Sequence, residues 1–205
     1  MSISRPNDGN FEVGKELSEK PNPVKLYNLK EHDEYAELFM TAIDQLCETR
    51  DDIEIHKDIH WADHHLNEKL YEKKFQELIQ PYLIDCAREH YGCDMAEFRQ
   101  CWFSRVRNSK GNGWHTHGQA NMSGVYYLEM PKKKYVTSFW DKSVEIDAKE
   151  GDFILFPSYM LHACPPIDEE KKTVISFDWD IYLSNHLVTE KWDRWIVDKE
   201  YLYIN

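Results

Sequence analysis

The chain predicts a mainly β protein, a sandwich or barrel of jelly-roll type with supporting N-terminal α-helices. Three observations carry that expectation. From Phe98 onward, short apolar and aromatic runs alternate with polar residues, and turn-forming clusters separate them. Before Phe98, apolar residues recur at spacings of three and four over two long stretches, the mark of helices with one buried face. Seven Trp, twelve Tyr and nine Phe in 205 residues also suit a densely packed β-rich core.

The totals narrow the class. Charged residues make up 30% of the chain, and the mean hydropathy is -0.71. No apolar run approaches the roughly 20 residues that a membrane span needs. Met1 to Glu19 is polar and lacks the apolar centre of a secretory signal, so the expected setting is cytoplasmic, with no membrane partner. A net charge of -12 opposes wide contact with phosphates, so no nucleic acid is expected, and it favours a neutral or basic substrate. The partner left is a small-molecule or peptide substrate. Cys47, Cys86, Cys93, Cys101 and Cys164 are odd in number and form no CxxC pair, which fits reduced, mostly buried thiols better than a disulfide frame or a zinc ribbon.

Taken in order, residues 1–32 read as an extended or partly disordered arm, with Pro6, Gly9, Gly14, Pro21 and Pro23 among polar residues. Residues 33–97 read as a helical support region. Tyr35, Leu38, Phe39, Ala42, Ile43 and Leu46 make one apolar stripe, with Asp33 as its cap. A longer stripe runs from Leu66 to Tyr91, with Pro81 as a kink or break and Gly92 as the stop. Between them, His56, His60 and His64 stand four apart and would share a helix face. No HExxH frame surrounds them, and with His65 they read as surface or interface histidines in a solvated stretch that includes Lys57, Asp58 and Asp63, or as the mouth of a site.

Residues 98–183 read as the β core. Strands are expected at 98–106, 114–117, 122–130, 135–140, 153–156 and 173–182, separated by turns that include Pro165-Pro166-Ile167-Asp168. Residues 184–205, with Leu187, Trp192, Trp195 and Ile196, read as a C-terminal helix and tail packed on that core, in a single domain overall.

Chemistry concentrates in the β core. His115 and His117 flank Thr116, and on a strand residues i and i+2 project from one face. His162 ends the run Gly151-Asp152-Phe153-Ile154-Leu155-Phe156-Pro157 and is the third candidate ligand. Imidazole clusters with open positions suit non-haem iron. Lys172 follows Glu169-Glu170-Lys171, a loop by composition, yet it leads directly into Val174-Ile175-Ser176-Phe177. A lysine drawn into a buried strand needs an anion, and a dicarboxylate would supply one. Lys171 belongs to solvent. Trp102, Trp114 and Trp140 are candidate pocket walls.

From about Trp102 to Tyr182 the sequence resembles the Fe(II)- and 2-oxoglutarate-dependent oxygenases, in particular the branch related to prolyl hydroxylases. The pieces that carry the resemblance are His115-Thr116-His117, Ser123-Gly124-Val125-Tyr126-Tyr127-Leu128, the run from Gly151 through Ser158 to His162, and Lys172 ten positions on. The resemblance implies a double-stranded β-helix of the jelly-roll or cupin-like kind, Fe(II) as cofactor, and 2-oxoglutarate and O2 as cosubstrates. His115 and His162 then match iron ligands, and Lys172 matches the basic residue on the far carboxylate of 2-oxoglutarate. Tyr127 matches a tyrosine that hydrogen-bonds the same carboxylate. The implied activity is hydroxylation of a C–H bond on a peptide side chain or small metabolite.

One departure stands out: the family pattern is His-x-Asp or His-x-Glu, and here His117 fills the carboxylate position. Three neutral ligands leave Fe(II) its full dipositive charge. His117 as a direct ligand is the favoured reading; alternatively Glu129, Asp178 or Gln119 completes the shell, or His117 only positions substrate. Two further readings compete. One is a cupin-type three-histidine dioxygenase that does not use 2-oxoglutarate; against it, Gln119 to Met122 occupy the region shortly after the His-x-His where a cupin carries a glutamate. The other is a non-catalytic, metal-stabilised jelly-roll binding module.

Overall fold

A computed structural model describes residues 22–56, 60–109 and 111–183. The arm before residue 22 and the C-terminal segment from 184 lie outside the described residues. The elements in chain order are β1 (Lys25–Asn28), α1 (His32–Thr49), β2 (Glu54–His56), β3 (His60–Ala62), α2 (Glu72–Tyr91), β4 (Met95–Ser109), β5 (Asn112–His115), β6 (Met122–Glu129), β7 (Ser138–Phe139), β8 (Asp152–Pro157), β9 (His162–Cys164) and β10 (Ile167–Tyr182). Among the described residues the strands form two antiparallel sheets. The larger has the order β1-β8-β6-β10-β4-β3-β2, and the smaller β5-β9-β7. This is the mainly β, double-stranded β-helix that the sequence predicts. No helix among the described residues is long and apolar enough to cross a membrane.

Strand parity sorts the larger sheet into two faces. On β6, Met122, Tyr126 and Leu128 face the helices, while Val125 and Tyr127 face the smaller sheet. On β10, Ile175, Phe177 and Trp179 join the helical layer, and Lys172, Val174 and Ser176 turn the other way to line a cavity. Phe98 and Cys101 both face the helices although three residues apart, because Gln100 pairs with Asp178 and Phe98 with Trp179, leaving Arg99 as a bulge residue. The helices bury Phe39, Ala42 and Ile43 from α1 and Phe75, Ile79, Leu83, Cys86 and Ala87 from α2.

Gly124 is required by this packing. It pairs with Phe177 on β10, and a Cβ at Gly124 would lie 2.1 Å from the Phe177 ring, which is itself held against Phe75 with ring centroids 5.4 Å apart. Gly124→Ala is therefore expected to destabilise the protein by about 1–3 kcal/mol through overpacking. Urea denaturation would show this as a lowered midpoint at unchanged slope.

Several expectations are corrected. Asp33 sits in the first turn of α1, and the cap position is Glu31, whose side chain makes no capping bond. α2 starts at Glu72 rather than near Leu66 and runs unbroken through the exposed Pro81, because the lost backbone bond lies on the solvent side. Gly92 does end it, in the left-handed region with φ 63°. His56 and His60 are paired across a hairpin rather than placed on a helix. Asp63 is not solvated but fully buried, accepting bonds from the Phe103 N–H and the Tyr71 hydroxyl, both at 2.8 Å. Around 135–140 only Ser138–Phe139 is strand. His162 opens β9 after a turn instead of ending β8, and β10 has already begun at Ile167, so residues 169–172 are strand and not loop.

Candidate metal and cosubstrate site

The smaller sheet sets two of the three imidazoles side by side: His115 on β5 pairs directly with His162 on β9. His117 lies just beyond the end of β5, not on it, and is held by its backbone N–H donating to the Ser158 carbonyl at 3.0 Å. The ring centroids are 4.4 Å apart for His115 and His162, 5.1 Å for His117 and His162, and 5.4 Å for His115 and His117. Each ring offers one nitrogen to a group whose members all lie within 4.8 Å of one another.

Which nitrogens converge follows from the bonds behind the rings. His115 Nδ1 lies 2.8 Å from the Gly113 carbonyl oxygen and His162 Nδ1 lies 2.9 Å from that of Met160. Carbonyls only accept, so each Nδ1 carries a proton, and in the neutral ring that leaves the lone pair on Nε2. His117 Nδ1 donates in the same way to Asp178 Oδ1 at 2.6 Å. Three preset Nε2 lone pairs, with no fourth His, Cys, Asp or Glu in the group among the described residues, suit a metal that keeps open positions rather than a closed structural zinc. The residues fit Fe(II).

Burial depresses the His162 pKa from 6.5 to about 4, so the ring is neutral and ready to ligate at physiological pH. This has a consequence for the metal-free protein. The unfolded chain takes up the His162 proton near pH 6.5, while the folded chain resists it until about pH 4. The stability tied to neutral His162 is thus whole above pH 6.5 and lost as pH falls to about 4, about 3 kcal/mol in all. Urea titrations of metal-free protein across that window should show the decline, and His162→Gln should flatten it.

A cavity of about 270 Å³ joins these rings to Lys172, and Trp102, Ser104, Val125, Thr137, Cys164, Val174 and Ser176 are among its lining residues. Among the described residues no carboxylate lines it. Lys172 is 2% exposed. Its Nζ donates to the Tyr135 carbonyl, lies 3.8 Å from Cys164 Sγ and sits 5.5 Å from the centre of the Tyr127 ring. Burial lowers its pKa, and among the described residues no carboxylate pairs with it. Lys171, by contrast, is half-buried and reaches Glu129 at 3.4 Å.

Tyr127 is fully buried one layer behind the cavity wall. Its hydroxyl donates to Thr137 Oγ1 at 3.1 Å and accepts from the Thr137 N–H at 3.2 Å, and Thr137 is the residue of the two that lines the cavity. Glu129 is taken up by Thr173 and Lys171 and is not in the imidazole group. Gln119 is exposed at the outer edge beside His117. Asp178 meets His117 from behind. Of the three candidate tryptophans, Trp102 lines the cavity with its ring centroid 5.5 Å from that of His117. Trp114 and Trp140 do not; they contact each other edge-on at 5.4 Å and are exposed. Sequence reasoning missed Thr137 altogether, since it lies where no period shows. His60 and His64 do line the cavity, the mouth reading of that cluster.

Residues 100–145 match the family model described as "Putative 2OG-Fe(II) oxygenase". No curated protein matches the chain in sequence. Solved structures share its fold. A viral collagen prolyl hydroxylase from Paramecium Bursaria Chlorella virus-1, in complex with 2-oxoglutarate, aligns with TM-score 0.57 at 15% identity over 80% of this chain and 98% of its own. A Pseudomonas putida prolyl-4-hydroxylase aligns with TM-score 0.53 at 12% identity, over 80% and 95%. An oxidoreductase of the 2OG-Fe(II) oxygenase family from Burkholderia pseudomallei aligns with TM-score 0.56 at 10% identity, over 77% and 84%. Over residues 100–145 the chain is thus similar in sequence to the Fe(II)- and 2-oxoglutarate-dependent oxygenases, and its fold is the one these solved structures share.

Proposed function

We propose that the protein hydroxylates a C–H bond of a peptide side chain or small metabolite, with His115, His117 and His162 as the metal ligands, Lys172 as the residue that binds the cosubstrate, and Tyr127 supporting that site from behind Thr137. The observation that carries this reading is that three converging imidazoles and the buried Lys172 share one cavity, which no carboxylate among the described residues lines. Bound Fe(II) with 2-oxoglutarate and O2 would supply the oxidising chemistry.

The chain's own residues supply binding, orientation and exclusion of water. Lys172 forms a charge-assisted pair with the far carboxylate of 2-oxoglutarate. Thr137 presents its hydroxyl at the cavity wall, and Tyr127 fixes Thr137 from behind while lending the face of its ring to Lys172. Trp102 covers the flank of His117, and Val125 and Val174 keep the floor apolar. The prolyl hydroxylases among the structural relatives favour a peptide side chain as the substrate class.

The test is succinate release from 2-oxoglutarate by Fe(II)-loaded protein, with and without a panel of peptides and small metabolites. Turnover that requires both the metal and 2-oxoglutarate is expected. Stabilisation by a small thiol but not by 2-oxoglutarate would overturn the proposal in favour of a cupin-type dioxygenase.

A further inference from the structure

We infer that Asp178 is the counter-charge of the three-histidine centre, a positioning residue that acts through His117 and takes the place of the carboxylate ligand this chain lacks. The inference rests on the metal reading given above. Asp178 is 3% exposed on β10, on the same strand face as Lys172, Val174 and Ser176. Both of its oxygens are engaged from the two flanking strands. Oδ1 accepts from His117 Nδ1 at 2.6 Å and from Ser123 Oγ on β6 at 2.9 Å, and Oδ2 accepts from Gln100 Nε2 on β4 at 3.1 Å. Ser123 and Gln100 are its direct cross-strand partners, so one row of the sheet fixes the carboxylate.

Neutral donors alone are a weak reason to bury a carboxylate, because a buried charge needs a counter-charge. Among the described residues no Lys or Arg pairs with Asp178; the nearby Arg99 is spent on Glu97 and Asp180. The counter-charge must then come through His117, whose other nitrogen holds either a proton, which makes the ring itself the cation, or, in the three-histidine group, a metal ion. A carboxylate that accepts the Nδ1–H of a ligating histidine fixes the ring and raises the basicity of its Nε2. Three neutral ligands leave a divalent ion its whole charge, and Asp178 cancels one unit of it, as a carboxylate ligand would. The negative charge has been moved one imidazole outward. A carboxylate at position 117 would instead stand against Asp178, so His117 and Asp178 make a matched pair.

The test is Mn(II) binding to the full chain by calorimetry, without cosubstrate, alongside melting of the metal-free proteins. Asp178→Asn keeps the shape and removes the charge, and it is expected to weaken Mn(II) binding about 10- to 100-fold. Ser123→Ala removes a bond to the same oxygen but keeps the charge, and affinity should stay within about threefold. Gln100→Lys neutralises the carboxylate from outside without altering it, and should weaken binding in the same direction even if Asp178→Asn does not fold. With iron bound, Asp178→Asn should also raise the Fe(III)/Fe(II) midpoint potential. Unchanged affinity in both Asp178→Asn and Gln100→Lys overturns the inference while leaving the metal reading intact, as does a loss in Ser123→Ala equal to that in Asp178→Asn. A wild-type chain that binds no divalent ion overturns both.

Discussion

Replacing His162 with alanine is expected to abolish metal binding at working concentrations, raising the dissociation constant about a thousandfold. Four-ligand sites bind zinc with roughly 10–16 kcal/mol, so each ligand accounts for about 2.5–4 kcal/mol, and tenfold in affinity is about 1.4 kcal/mol. His162 should reach the upper end, because among the described residues no fourth His, Cys, Asp or Glu belongs to the group. It is 4% exposed, its Nδ1 is fixed by the Met160 carbonyl, and the Phe156 and Phe139 rings lie at 4.8 and 6.1 Å. That apolar wall holds the ring in one orientation and offers no other donor. The metal-free His162→Ala protein should still fold, since the variant removes a polar ring from a cavity wall rather than a filler of the core. Metal analysis of purified protein, with a thermal melt to confirm folding, checks both halves. A variant that keeps stoichiometric iron would mean that the histidines do not form the site.

The sequence made the core strands legible where one rule governs them. Along β6 and β10 the alternation of faces follows directly from residue order, and it places Lys172 and Asp178 on one side six residues apart. What parity could not show is the partner: the bond from His117 to Asp178 joins positions 61 residues apart, and only the sheet's register brings them together. Composition misled at residues 169–172, where two acids and two lysines read as a loop; β10 accommodates Glu170 and Lys171 half-buried because each finds a partner of opposite charge, Lys132 and Glu129. Spacing misled at His56, His60 and His64, since a hairpin can return histidines at intervals of four as readily as a helix. Asp63 looked solvated beside them, and its burial depends on Phe103 and Tyr71, which the fold brings from 40 and 8 residues away. The convergence of the imidazoles was legible from His-x-His and a distant His. The means differs, in that His117 reaches the group from a turn anchored to Ser158.

Lys172→Met is expected to have two opposite effects, and together they distinguish a cosubstrate site from a structural lysine. In the metal-free, cosubstrate-free protein, Lys172 is a buried ammonium that meets a carbonyl, a thiol and an aromatic face but no carboxylate. Replacing a poorly compensated buried charge by an apolar chain of similar length is commonly neutral or stabilising. The variant's unfolding free energy should therefore rise by about 1–2 kcal/mol, the Tyr135 carbonyl losing a donor in partial offset. Binding of 2-oxoglutarate should fall steeply, because its far carboxylate would enter the same cavity with no cation to receive it. Truncating one partner of a buried charge pair costs about 2–5 kcal/mol, or roughly 30- to 4,000-fold in affinity. Metal binding should be nearly untouched, since Lys172 is not one of the three nitrogen donors. Calorimetric titration of 2-oxoglutarate into Mn(II)-loaded wild-type and Lys172→Met protein, beside urea denaturation of both in metal-free form, measures each effect. Unchanged 2-oxoglutarate affinity would remove Lys172 from the cosubstrate site. A large loss of stability without cosubstrate would make its burial a matter of folding. A more stable protein with a failed cosubstrate site is the outcome that only a lysine kept for an incoming anion explains.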